Sequence, residues 1–156
     1  MKTLIVLLVC TISFTSCKKQ EQNSKEISTK NNSEISHSLE GTWELVGYYN
    51  YIDNKVVDSF DSNEGYRQIK MYTPTKVMWS KDVPKDSTEW FGYGNYKIND
   101  SSLVETLEYG SESMKNIIHN RKEFRYELHL NENKFSQIEL DDEGNRIYSE
   151  NFKRIE

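Results

Sequence analysis

The chain has 156 residues, a formal net charge of −5 and no basic cluster, which argues against nucleic acid as a partner, because phosphate recognition needs concentrated positive charge. Aromatic residues make up 12% of it, ten of them tyrosine, against two prolines, a composition suited to the pleated, half-buried strands of one domain. Both cysteines, Cys10 and Cys17, fall near the start, so the remainder has no disulfide and no thiolate site.

Lys2 precedes an apolar run from Leu4 to Phe14, well short of the ~18 residues of a membrane-spanning helix. A basic start, an apolar run and small residues before a break mark a secretory signal peptide. The break reads Phe14-Thr15-Ser16-Cys17, and composition turns polar at Lys18. This pattern resembles the lipobox of bacterial lipoproteins. The resemblance implies that residues 1–16 are a signal peptide and that Cys17 is lipidated, becoming the first residue of the mature chain. Two or more buried acyl chains, palmitate among them, give a stable membrane anchor. Lys18 after the cysteine resembles lipoproteins passed on to the outer membrane, facing the periplasm or the cell surface. An ordinary signal peptide with a stray cysteine is the alternative.

Residues 17–38 are polar, mixed in charge and free of aromatics, and cannot bury enough surface to offset their ordering entropy. They are expected to form a flexible tether with a reach of about 25 Å. Lys18, Lys19 and Lys25 alternate with Glu21 and Glu26 and make no polybasic patch.

From Leu39 the pattern changes to alternation. Trp43, Leu45, Gly47, Tyr49 and Tyr51 share one side of a first strand. Asp53-Asn54 turns into a second extended piece, Val56 to Phe60. Further strands follow over Tyr66–Tyr72, Lys76–Ser80, Trp90–Ile98 and Leu103–Tyr109. Met114, Ile117 and Ile118 have helical spacing within 112–120. Strands resume over Arg121–Leu130, Lys134–Leu140 and Arg146–Ile155, the last pair joined by a turn around Gly144. Short alternating strands separated by turn residues predict an all-β antiparallel meander of eight or nine strands with one short helix, closed into a barrel over 39–156.

Gly41-Thr42-Trp43-Glu44-Leu45 resembles the first-strand motif of the lipocalin and fatty-acid-binding families. In those barrels the tryptophan packs across the closed end beneath an arginine of the last strand, and Arg154 stands at that place in this chain. A guanidinium over an indole face contributes ~0.5–2 kcal/mol and ties the first strand to the last. Ile69 to Thr75, Met78-Trp79, Gly92 to Tyr96 and Glu105 to Tyr109 further resemble a family of secreted bacterial lipocalin-like domains of unsettled function. Histidines frequent in that family are replaced by Lys76 or Val77 and by Thr106, so no role of theirs carries over.

Period-two alternation from these anchors places candidate cavity residues inside: Tyr49, Arg67 (or Lys70), Glu105, Tyr126, Gln137, Tyr148 and Glu150. The functional reading is an aromatic-walled cavity that fixes a small apolar or amphipathic ligand through a few polar contacts. The competing reading is an internal network in which Arg67 pairs with Glu105 or Glu150 and side chains fill the barrel. Gly92 and Gly94 share a face, as a bend or bulge, or as a gap where ligand meets backbone. His37, His119 and His129 fit no zinc spacing, and no metal or cofactor is expected. No nucleophile has a His/Asp set, and Glu105 and Glu108 fall on opposite faces, so no enzyme is expected. The sequence thus points to a monomeric, membrane-anchored binding protein of the cell envelope. A protein-interaction or inhibitor module, acting through residues 48–60 and 83–93, is the alternative.

Overall fold

The computed structural model describes residues 37–62, 65–85 and 87–156. The expected signal peptide, Cys17 and the expected tether, apart from His37 and Ser38, lie outside the described residues.

The described chain is nearly all β. In order it forms β1 (Gly41–Ile52), β2 (Lys55–Asp61), β3 (Arg67–Tyr72), β4 (Lys76–Asp82), β5 (Trp90–Asn99), β6 (Ser102–Gly110), α1 (Glu112–Asn120), β7 (Glu123–Leu130), β8 (Lys134–Leu140) and β9 (Arg146–Arg154). All pairings are antiparallel, and β1 also pairs with β9, so the sheet closes on itself. β1 has two partners along one edge. Its start pairs with β3 and its end with β2, whose other edge has no partner among the described residues. Closure removes the edges of the remaining strands from competition for other chains.

Trp43 and Arg154 are cross-strand partners in the closing ladder. The guanidinium carbon lies 4.0 Å from the indole centroid, and the indole nitrogen donates to the Leu39 carbonyl at 2.8 Å. Arg154 also donates to the carbonyls of Ser38, Glu40 and Glu132, at 2.8, 2.6 and 2.7 Å, stitching three segments across the closed end. Gly41 enters β1 at φ +128°, and a Cβ there would stand 2.5 Å from the guanidinium and from the Glu156 carbonyl.

Above this plug lies an apolar core of Leu39, Leu45, Tyr72, Val77, Leu103, Leu128, Phe135 and Phe152. Full burial of such side chains contributes about 1.5–3 kcal/mol each. Phe135 stands edge-on to Trp43 at 4.9 Å and stacks on Phe152 at 4.5 Å. Towards the other end, α1 buries Met114 and Ile118 against Trp79 and Leu107, flanked by Trp90 and Phe124. The helix is held there by this apolar stripe, because nine residues are too few to be helical alone in water.

The expected inward face of β1 does not continue past Leu45. Leu45 pairs with Phe152 while Gly47 pairs with Asn151, which leaves Val46 as a bulged extra residue. The bulge shifts the inward set by one, so Tyr48 faces the interior and Tyr49 is 40% exposed. Gly47 is the residue that permits it, since a Cβ there would meet the Phe60 carbonyl at 2.8 Å.

Candidate functional site

Between the apolar plug and the helix, the barrel interior is polar. β3 turns Gln68, Lys70 and Tyr72 inward, although Ile69 and Met71 on its other face are the more apolar pair. Arg67 is on that outer face and pairs with Glu44 at 2.8 Å. It is therefore Lys70, not Arg67, that supplies the interior cation. Lys70 Nζ donates to Glu105 Oε1 at 2.7 Å and to Gln137 Oε1 at 2.6 Å. The two charged side chains are 3% and 2% exposed, which makes them a fully buried ion pair. The ammonium also lies 5.8–5.9 Å from the ring centroids of Tyr72, Tyr126 and Phe152.

The network continues from both ends of this pair. Tyr72 donates its hydroxyl to Glu105 Oε1 at 2.5 Å. The Gln137 and Gln68 carboxamides donate to Glu150 Oε2 at 2.8 and 3.2 Å, and Tyr66 donates to Gln68 at 3.0 Å. Lys81 approaches Glu150 Oε1 at 3.5 Å, the longest polar contact in the set. Among the described residues no buried side-chain nitrogen or oxygen lacks a partner. Burial, followed by the Glu105 charge, pushes the Tyr72 and Tyr126 phenols well above their ordinary range, so both stay neutral. The mouth carries a second aromatic group: Tyr48 stacks on Phe60 at 5.2 Å and on Tyr148 at 5.5 Å, with Tyr66 alongside. Burial raises the phenols of Tyr48, Tyr66 and Tyr148 as well.

Glu105, Tyr126, Gln137, Tyr148 and Glu150 thus come together inside the barrel, whereas Tyr49 and Arg67 stand outside it. Lys70, Lys81, Gln68, Trp79 and Met114 complete the walls. A cavity of about 90 Å³ is lined by Lys70, Lys81, Glu105 and Glu150 together with Trp79, Leu107, Met114 and Phe124. A second, also about 90 Å³, adjoins it through Tyr126, Gln137 and Glu150 and reaches Tyr148 and Glu139. Drug-sized pockets run to ~300–1,000 Å³, so these cavities take a few non-hydrogen atoms and not an extended acyl chain. Two larger depressions, about 480 and 550 Å³, are more open to solvent, one beside His37 and Leu39 and one outside β7 and β8. Gly92 does not leave a gap for ligand. The Trp79 indole covers it, and a Cβ there would lie 2.8 Å from that ring. Gly94 faces a bulge in β6 at Glu108 and approaches the Thr106 carbonyl too closely for any side chain.

The wall is weakly laddered between β7 and β8. β7 pairs with β6 over Glu123–Glu127 and with β8 only over Glu127–Leu130. Residues 123–126 therefore have no ladder partner in β8 among the described residues. Tyr126 sits in this slot, bordering both inner cavities and the outer depression. Arg121 and Glu139 face each other near it at 3.7 Å.

No protein-family model and no curated protein sequence matches the chain. Two solved structures are similar to it. A lipocalin-like protein from Bacteroides uniformis ATCC 8492 is 17% identical, with a TM-score of 0.50, over 75% of this chain and 98% of that one. An uncharacterized protein from Bacteroides eggerthii DSM 20697 is 21% identical, with a TM-score of 0.49, over 75% and 99%. The first likeness establishes a lipocalin-like fold and nothing finer.

Proposed function

We propose that this protein is a lipid-anchored, lipocalin-like binding protein of the cell envelope, and that its ligand is a small molecule with polar ends and a short apolar body. The observation that carries the reading is the mid-barrel cavity, whose lining joins four charged groups to the apolar Trp79, Leu107, Met114 and Phe124. This geometry narrows the expected amphipathic ligand to one of a few non-hydrogen atoms. The Cys17 anchor and the outer-membrane address rest on the sequence. Acylation of Cys17 keeps the protein from acting as a freely diffusing carrier and favours capture or hand-off near the membrane. Native mass spectrometry of the purified full chain tests the cavity. A releasable small mass is expected on the wild type and not on Leu107→Phe, whose larger ring occupies the space. Identical spectra for the two proteins overturn the reading.

A second reading draws on the β1–β2 hairpin. All seven residues of β2 are exposed, its outer edge has no strand partner among the described residues, and Ile52, Val56, Val57 and Phe60 present apolar surface. Such an edge suits a protein partner that adds a strand. Photo-crosslinking from position 57 on intact cells would yield one discrete adduct, and a featureless pattern would eliminate this role.

A further inference from the structure

The charges around the cavity sum to zero: Lys70 and Lys81 against Glu105 and Glu150. Their hydrogen-bonding capacity is not used evenly. Glu150 Oε2 is saturated by Gln68 and Gln137, but Oε1 has only Lys81, at 3.5 Å. Lys81 is partly exposed on a flexible stem and rests over the Trp79 ring at 5.6 Å. One cationic and one anionic group are thus weakly engaged, side by side, at the cavity wall, while the Lys70–Glu105 pair behind them is locked.

Resting on the cavity reading above, we propose that the ligand is a small zwitterion of the size of a short α-amino acid, seated between Lys81 and Glu150. Its carboxylate faces Lys81 Nζ, its ammonium faces Glu150 Oε1, and its short side chain lies against Trp79 and Met114. A ligand of one sign would leave either Lys81 or Glu150 without a counter-charge at the partly enclosed wall. A wholly apolar ligand would remove water from both weakly engaged groups and return nothing to them. A zwitterion gives each group an opposite charge and keeps the sum at zero. A cavity of ~150 Å³ holds the six carbons of benzene, so a ligand of alanine's size fills the cavity of about 90 Å³ and continues past Glu150 into the adjoining one of about 90 Å³.

The test is calorimetric titration of the purified full chain with L-alanine, acetate, methylammonium and glycerol, with tryptophan fluorescence as a second readout. L-alanine is expected to saturate and to bind roughly tenfold more tightly than either ion. Lys81→Gln leaves the interior one charge negative and should make methylammonium the preferred probe. Glu150→Gln keeps an acceptor for Gln68 and Gln137, leaves one charge positive, and should make acetate preferred. Equal binding of acetate or methylammonium to the wild type, or an order unchanged in both variants, overturns the proposal. Glycerol binding without alanine binding overturns the zwitterion and leaves the cavity reading standing. Silence from all four overturns the zwitterion, and the mass comparison of wild type with Leu107→Phe then decides the cavity reading separately.

Discussion

Replacing Lys70 by Met isolates the energetics of the barrel interior. The side chain is 3% exposed, and Met fills most of its volume without its charge. Glu105, 2% exposed, would then keep only the Tyr72 hydroxyl as a partner, and Gln137 would lose its donor. Removing one member of a buried pair costs about 3–5 kcal/mol, a large share of the 5–15 kcal/mol that holds a domain together. The double replacement Lys70→Met with Glu105→Leu removes both charges and orphans only the neutral Tyr72 and Gln137 groups. It should therefore be more stable than Lys70→Met alone by about 2 kcal/mol or more. Urea unfolding followed by tryptophan fluorescence measures both, with an unchanged slope confirming that only stability moved. A Lys70→Met midpoint indistinguishable from wild type, or a double variant weaker than the single by the full cost of a second loss, would refute the ion-pair argument.

Arg154→Lys should cost roughly 2–4 kcal/mol, because an ammonium cannot reach three carbonyls and cover the Trp43 ring together; thermal unfolding of Arg154→Lys beside wild type reads this directly. Gly41→Ala should also destabilise, through its φ of +128° and the close guanidinium, and a neutral melting temperature would show that the closed end tolerates repacking. Six tyrosines, Tyr48, Tyr66, Tyr72, Tyr96, Tyr126 and Tyr148, hold their phenolic protons more tightly when folded. Above pH 10 the unfolded chain releases those protons and the native one retains them, so this contribution is intact below pH 10 and lost as pH rises beyond it. Phenolate absorbance should therefore show a late step coincident with unfolding, absent from a urea-denatured control. Tyr126→Ala opens the β7–β8 slot and should accelerate exchange of a bound small molecule, measured by stopped-flow displacement; an unchanged rate would place the route elsewhere.

The barrel was legible because its strands alternate and its turns are punctuated, and because Gly41, Trp43 and Arg154 occupy positions whose physics requires them together. The faces were less legible. At Tyr49 the error came from a bulge that reverses parity, announced in the sequence only by Gly47, whose missing side chain is what admits the Phe60 carbonyl. In β3 hydrophobicity was misleading. Ile69 and Met71 are the apolar pair, yet Gln68, Lys70 and Tyr72 turn inward, because Glu105, Gln137 and Glu150 arrive from β6, β8 and β9 to satisfy them. Partners so distant in sequence leave no local signature, and Lys81 and Met114 likewise join the cavity only through the fold.

The most direct test is a crystal structure of the full chain, purified without denaturation and soaked with L-alanine. Continuous density is expected in the mid-barrel cavity, with ligand atoms within hydrogen-bonding distance of Lys81 Nζ and Glu150 Oε1 and the Lys70–Glu105 pair intact behind them. A closed interior, with Trp79 or Met114 occupying that volume and Lys81 bound directly to Glu150, would contradict it.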